Sequence, residues 1–391
     1  MKILSVNAGS SSLKFQMYEM PEEKVLISGT FERIGIGGGL YTIKINGEKI
    51  KKERELANHA EAVQILIDEL LENKVIESLD EIKGVGHRIV HGGEKYAKSV
   101  VINDDVINTV TELSDLAPLH NPANLIGVKT FMELIPNAVQ VGCFDTAFHQ
   151  TMEKCEYLYP VPYEWYTDFG VRKYGFHGMS HNYIAKRAAE ILGNPAARII
   201  SCHIGNGGSI CAIRDGKSID TSMGFTPNAG LMMGSRSGDI DATLIPFIMN
   251  KTGKSLDEVV NDLNKKSGYL GISGISSDSR DIEDAAAQGN ERAILAQNMY
   301  YEKIVNYIAE YYLELGGADA IVFTAGVGEN SKLTRKAIID KLAPLGIKLD
   351  DEANNVRGEE KLISTPDSTT KVFIIPTDEE VMIARDTYSF I

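Results

Sequence analysis

The sequence predicts an α/β protein made of two duplicated units. Two observations carry that prediction. A strand that breaks into a small-residue turn and resumes as a strand occurs twice, once at Ile3–Val6, Asn7–Ser12 and Leu13–Phe15, and again at Ile199–Ile204, Gly205–Ser209 and Ile210–Ile213. After each copy, strands give way to alternating helical and strand patterns, an order that fits a duplicated α/β unit better than a simple Rossmann sheet. At 391 residues the chain has length for two or three domains with proper cores. Identity between the halves is low, so the duplication is read from the order of elements alone.

In the first half, Lys14–Met20 alternates apolar and polar residues, and Asn46-Gly47 inside Tyr41–Ile50 is a strong hairpin signal. Val63, Leu66, Ile67, Leu70 and Leu71 share one helical face, with Asn58 as N-cap and Glu61 at capping-box spacing. Strand patterns follow at Gly84–Val90 and Val139–Phe144. In the second half, Asp215-Gly216 marks another hairpin. A long amphipathic helix from Glu291 carries Ile294, Tyr301, Ile304, Ile308, Tyr311 and Leu315 on one stripe and stops at Gly316-Gly317. A buried strand (Ala320–Thr324), a helix (Lys332–Leu342), a strand (Val372–Ile375) and a final helix (Glu379–Tyr388) complete the order. The pattern sets the boundary near residue 150.

Composition narrows the function. A formal net charge of -14 argues against nucleic acid or an anionic membrane as partner. No stretch has the length of a transmembrane helix and no signal peptide is seen, which points to the cytoplasm. Cys143, Cys155, Cys202 and Cys211 form no CxxC pair and lie in or beside apolar runs, as thiols of a reducing compartment do.

The two turns suit phosphate oxygens, because small residues leave backbone amides and hydroxyls available. Lys14, two residues past the first turn, adds the cation that phosphoryl transfer needs. Gly253-Lys254-Ser255 is not a Walker A loop, since Ile248 stands at its first glycine position and no strand precedes it. Gly205–Gly208 is not a dinucleotide fingerprint, since a strand follows it. The run Phe323–Asn330 reads as a small-residue loop between strand and helix, fit for an adenosine pocket. Arg88 and Arg236 each sit in glycine-flanked segments where a planar fork meets carboxylate or phosphate. His177 precedes a helix whose expected N-cap is Ser180; the HxxxH spacing to His181 lacks the acid of a zinc site, and an anion-facing role fits better. His120 lies in a constrained loop, Asp145 ends an apolar strand, and Glu379 and Glu380 open the final helix.

Together NAGSSSLKF, GHRIVHGG, FDTAFH, YGFHGMSH, HIGNGGS, MGSRSGDID, SGISSDSRD, FTAGVGEN and PTDEE resemble the acetate kinases (acetokinase family) in the same order from residue 3 to about 387. The resemblance implies the actin/Hsp70/hexokinase-like (ribonuclease H-like) fold, two duplicated α/β domains around a nucleotide cleft. It divides the chain into 1–148 plus 378–391 and 149–377. It implies ATP + acetate ⇌ ADP + acetyl phosphate, Mg²⁺ (or Mn²⁺ in its place) and a homodimer. Asn7 and Glu379 would place the metal. Ser10, Ser12 and Lys14 would attend the phosphates, with His203, Ile204, Gly205, Asn206 and Gly207 as second phosphate loop. Asp278, Ser279 and Arg280, with Gly326, Val327, Gly328, Glu329 and Asn330, would hold the adenosine. Arg88 would bind the carboxylate, Arg236 and His177 would stabilise the migrating phosphoryl group, His120 would assist orientation, and Asp145 would be an acid/base or a positioning carboxylate, positioning being preferred. Val90, Leu119, Phe176 and Pro227 would receive the methyl group. The chain reads Thr226-Pro227-Asn228-Ala229-Gly230 where the family commonly has Leu-Glu after Thr-Pro, so a propionate or butyrate kinase is the neighbouring alternative. Ser279 replaces a bulkier residue, which leaves base selectivity open. An actin- or Hsp70-like ATPase switch is the alternative of a different class; it predicts slow ATP hydrolysis and no acyl phosphate.

Overall fold

The computed structural model describes residues 1–118 and 120–391. The chain divides into two compact units, Met1–Phe148 with Asp378–Ile391, and His149–Thr377.

The first unit is built on β1 (Lys2–Ala8), β2 (Ser12–Glu19), β3 (Lys24–Glu32), β4 (Leu40–Ile45), β5 (Glu48–Glu53), β6 (Ile82–Ile89), β7 (Val100–Val101) and β8 (Val139–Phe144). Their order is β5-β4-β3-β2-β1-β6-β8-β7. β1 pairs antiparallel with β2 and parallel with β6, which runs parallel with β8. The second unit contains β9 (Arg198–Ile204), β10 (Gly208–Arg214), β11 (Lys217–Thr221), β12 (Ala320–Thr324), β13 (Lys361–Leu362) and β14 (Lys371–Ile374), ordered β11-β10-β9-β12-β14-β13. Here β9 pairs antiparallel with β10 and parallel with β12, and β12 runs parallel with β14. Thus β3-β2-β1-β6-β8 and β11-β10-β9-β12-β14 share one strand order and one pattern of directions. The duplication invisible in residue identities is explicit in pairing.

Local chemistry explains the elements. Asn46 and Gly47 (φ 52° and 82°), and Asp215 and Gly216 (φ 54° and 71°), take the two left-handed positions of type I′ hairpins. Asn58 caps its helix by accepting from the Glu61 amide, while the Glu61 carboxylate reaches the Ala57 amide. The central strands are buried: β12 on every residue, β9 on all but Arg198. The helix Glu291–Glu314 lays Tyr300, Ile304, Ile308 and Tyr311 into the second unit's core. Ile294, expected on that stripe, is exposed instead, because the buried face enters the helix at Ala293 and Ala296 and leaves Ile294 at its edge, about 100° round from Ala293.

Two glycines seat the final helix. A Cβ on Gly84 or Gly86 of β6 would collide with Thr387 or Ile383, so the helix Glu379–Tyr388 lies close on the sheet only because these positions are bare. That close seat fixes where Glu379 and Glu380 emerge.

Candidate active site

In the first unit the charged residues of three strand ends converge. Arg88, next to last in β6, reaches Asp145, just past β8, through Nε at 2.9 Å and Nη2 at 2.5 Å. This is the bidentate fork geometry of guanidinium and carboxylate. Asp145 is 1% exposed and Arg88 22%. The Asn7 amide oxygen accepts from Arg88 Nη1 at 3.4 Å. Glu379 shares the cluster: burial pushes its carboxyl up to about 7, Arg88 opposing and Asp145 and Glu380 adding to the rise. Lys14 pairs with Glu380. Ser10 and Ser12 are exposed on the turn, whose Gly9 amide is already bonded to the Ser12 carbonyl at 2.8 Å.

Two buried asparagines hold these strand ends and were not singled out by the sequence reading. Asn124 accepts from the Val90 amide (3.1 Å) and donates to the Ala8 carbonyl (2.7 Å), tying β6 to β1. Asn121 accepts from the His91 amide and donates to its carbonyl. The signal was the Asn-Pro-Ala-Asn run after His120, two asparagines just ahead of the apolar run Leu125–Val128. His120 is exposed at the N-cap position of that helix, Asn121–Leu134, and Val90 is buried. Leu119 lies outside the described residues.

In the second unit the turn between β9 and β10 mirrors the first, closed by Gly205 N–H to the Gly207 carbonyl at 3.1 Å. Thus one amide in each turn is spent on the turn itself rather than left for a ligand. Arg236 lies against Gly207, where a Cβ would sit 3.4 Å from its Nη1. Its Nη1 donates to the Pro227 carbonyl at 3.1 Å. No carboxylate pairs with this half-buried guanidinium among the described residues, and burial alone lowers its pKa. A desolvated cation without a counter-ion is poised for an anionic ligand.

His177 has φ 56°, a left-handed backbone unusual for a non-glycine residue, and occupies the N-cap of Gly178–Leu192. The expected N-cap, Ser180, instead lies in the first turn, since the chain enters the helix three residues earlier than Ser180 suggests. The Ser180 hydroxyl turns to His203 Nδ1 at 2.8 Å. His203 stacks on His177 with ring centroids 4.0 Å apart. Phe176 is buried and its carbonyl meets His149 Nε2 at 2.8 Å.

Beside the turn opens a cavity of about 1170 Å³ lined by Gly205, Asn206, Asp278, Ser279, Arg280, Gly326, Val327 and Asn330. Its size suits a nucleotide. Asp278 caps the helix Ser279–Ala287 and pairs with Arg280 at 2.5 Å. The stretch read as a loop after β12 is a short helix, Ala325–Asn330. Glu329, expected at the adenosine, turns inward, and Oε1 accepts from the Ala325 amide (2.7 Å), the Thr324 hydroxyl (3.3 Å) and the Thr377 amide (3.1 Å). Neither Glu329 nor Gly328 lines the cavity, and neither do His203, Ile204 and Gly207.

The far wall, Asn355–Arg357, was missed from sequence. It is held by Arg335, fully buried, which donates to the Asn354 side chain (2.7 Å) and carbonyl (3.0 Å), the Val356 carbonyl (3.0 Å) and the Gly328 carbonyl (2.9 Å). One guanidinium thus ties the far wall to the short helix Ala325–Asn330, whose Gly326, Val327 and Asn330 line the near one. An arginine within an ordinary helical pattern gives no such hint.

Among the described residues, no group of three His, Cys, Asp or Glu side chains is arranged to hold a metal. A magnesium ion does not need one, since it keeps waters and takes one or two protein oxygens plus phosphate. The hard oxygens of Glu379 and Asn7, with a carboxyl made costly to ionise by burial and acidic neighbours, fit such an ion. No helix among the described residues is long and apolar enough to cross a membrane.

The sequence matches the acetokinase family over residues 2–385. It is 58% identical over 387 residues to the acetate kinase of Geobacillus sp. (strain WCH70), and 57% to that of Bacillus subtilis (strain 168), each alignment covering 98% of both chains. Among solved structures, the acetate kinase of Porphyromonas gingivalis matches with a TM-score of 0.94 at 48% identity over 99% of both chains. A propionate kinase from Francisella tularensis subsp. tularensis SCHU S4 matches with a TM-score of 0.95 at 42% identity over the whole of both chains.

Proposed function

The chain belongs to the acetokinase family and is a phosphotransferase, and from that premise we propose that it interconverts ATP and acetate with ADP and acetyl phosphate by direct in-line transfer. The observation that carries the reading is Arg236: a half-buried guanidinium with no carboxylate partner among the described residues, laid on the glycine turn beside a nucleotide-sized cavity.

Each unit receives a part of the reaction. Arg88, its planar guanidinium held in orientation by Asp145, offers N–H donors to the acetate carboxylate. Acetate, with a pKa of about 4 to 5 by analogy with side-chain carboxyls, is already ionised near neutrality, so Asp145 positions Arg88 and need not act as a base. Adenosine takes the cavity at Asp278–Arg280 and Gly326, Val327 and Asn330. Arg236 and His177 meet the charge that spreads over the equatorial phosphoryl oxygens, and Ser10, Ser12 and Lys14 attend the phosphate chain. Glu379 and Asn7 would hold magnesium, which when bound neutralises phosphate charge.

A second copy of the chain is the partner we assign. The helix Leu244–Thr252 buries none of its residues yet presents Leu244, Phe247 and Ile248 to solvent, and Trp165, Leu256, Leu295 and Met299 are also exposed in this unit. An apolar helix with no cover is what a subunit interface supplies. The cytoplasm is the compartment that the free cysteines and acidic charge suit.

Trapping acyl phosphate as hydroxamate, with ATP, Mg²⁺ and acetate, propionate or butyrate, tests the reading. Hydroxamate from acetate with the highest kcat/KM supports it. Highest kcat/KM with propionate would move the chain to the propionate kinases. ATP hydrolysis without hydroxamate would return it to the ATPase switches.

A further inference from the structure

The second unit contains a buried chain of hydrogen bonds that ends on His177. His177 Nδ1 lies 2.8 Å from Ser209 Oγ, which lies 2.8 Å from His181 Nε2, and His181 Nδ1 lies 2.9 Å from Ser201 Oγ. Ser201, Ser209 and His181 are completely buried. Burial holds His181 neutral, its pKa well below the ordinary range, so the ring carries one N–H.

Counting protons leaves three arrangements that satisfy all three contacts, because Ser209 has one O–H and two acceptor positions between two ring nitrogens. In the first, Ser201 donates to His181 Nδ1, His181 Nε2–H donates to Ser209, and Ser209 donates to His177 Nδ1. The proton of His177 then sits on Nε2. In the second, every bond is reversed: His177 Nδ1–H donates to Ser209, Ser209 to His181 Nε2, and His181 Nδ1–H to Ser201. The hydroxyl of Ser201 is then a buried donor without an acceptor among the described residues, since its contact with His181 is already made as acceptor. Such an orphan costs about 1–3 kcal/mol. In the third, both rings donate to Ser209 and its own buried O–H is the orphan. Only the first arrangement leaves none.

A parallel chain runs beside it. Thr377 Oγ1 donates to Ser180 Oγ at 2.8 Å, which frees the Ser180 O–H for His203 Nδ1. The two stacked imidazoles are thus each supplied with a hydroxyl donor at Nδ1. Protonating both at a centroid distance of 4.0 Å would set like charges in contact.

We propose that Ser201, His181 and Ser209 order the protons so that His177 is held as the neutral Nε2–H tautomer, a fixed hydrogen-bond donor toward a phosphoryl oxygen. Ser209 and His181 are then positioning residues. The proposal rests on the assignment of His177 to the migrating phosphoryl group. Making His177 an imidazolium forces its Nδ1–H onto Ser209 and orphans the buried hydroxyl of either Ser201 or Ser209, so the site supplies a dipole at His177 and leaves the full positive charge to Arg236.

The test is long-range ¹H–¹⁵N correlation on the intact enzyme labelled in histidine, with Ser209→Ala and Ser201→Ala beside wild type. Wild type near neutral pH should show His177 and His181 as Nε2–H tautomers. Ser209→Ala should give a tautomer mixture at His177 and a roughly tenfold lower kcat, with KM for ATP and acetate within about twofold. Ser201→Ala should release the tautomer of His181 with a smaller loss, and remains informative if Ser209→Ala does not fold. An Nδ1–H or doubly protonated His177 in wild type overturns the proposal. So does an unchanged tautomer in both variants. The underlying assignment is judged separately: full turnover in His177→Ala would remove it whatever the spectra show.

Discussion

Asp145→Asn separates a positioning carboxylate from a catalytic base. Asp145 is 1% exposed and accepts two N–H bonds from Arg88, at 2.9 and 2.5 Å. Asparagine keeps the shape and one acceptor, but turns its NH₂ toward a guanidinium N–H. One charge-assisted hydrogen bond is lost and a donor faces a donor. Such a bond is worth about 1.5–3 kcal/mol, and full rupture of a buried ion pair about 3–5 kcal/mol. We therefore expect a stability loss of about 2–3 kcal/mol by chemical denaturation. Kinetically, the same energy expressed in Arg88 placement lowers kcat/KM for acetate about 30- to 160-fold, with KM for acetate raised and KM for ATP near normal. The assay is initial-rate hydroxamate formation with acetate varied at saturating Mg-ATP, repeated from pH 5.5 to 9. If Asp145 only positions, the acid limb of the pH profile survives in the variant. A vanished acid limb, or an unaltered KM for acetate, would refute the reasoning.

Further outcomes follow from the same geometry. Arg236→Ala should lower kcat by about 10²–10³ while melting near the wild-type temperature, since it removes a cation without a counter-ion; turnover within threefold would contradict it. Arg335→Met should raise the KM for ATP at least tenfold while leaving the KM for acetate within twofold, because the tie between the far wall and the short helix is cut; an unchanged ATP KM would show the wall is held by other contacts. Glu314, raised to about 7 by burial and then by Asp220 and Glu156 against Lys173, should make the fold less stable as pH rises. The sign follows from its folded value lying above the ordinary 4.5: the contribution is complete below 4.5 and lost between 4.5 and about 7. Glu314→Gln should flatten that slope by about 1–2 kcal/mol after solvent screening; an unaltered slope in urea titrations would place the titration elsewhere.

How legible each part was depends on whether its cause is local. The two hairpins could be read because Asn46-Gly47 and Asp215-Gly216 need only their own backbone angles. The twin turns and Arg88, Arg236 and His177 stood out because small residues around a charge are locally odd. Arg335 and Asn124 did not, for their partners lie up to 116 residues away and only the fold brings them together. The inward turn of Glu329 was hidden for the same reason, since one of its donors, Thr377, comes from 48 residues further on. The N-cap fell on His177 rather than Ser180 because a left-handed residue starts the helix, a conformation that propensity disfavours.

The stereochemical course at phosphorus tests the account most directly. With ATP made chiral at its γ-phosphorus by isotopic oxygens or sulfur and acetate as acceptor, one direct displacement by a carboxylate oxygen inverts the configuration. Inversion in the acyl phosphate is the result predicted here; retention would require a phosphorylated enzyme group and an even number of transfers, and would contradict it.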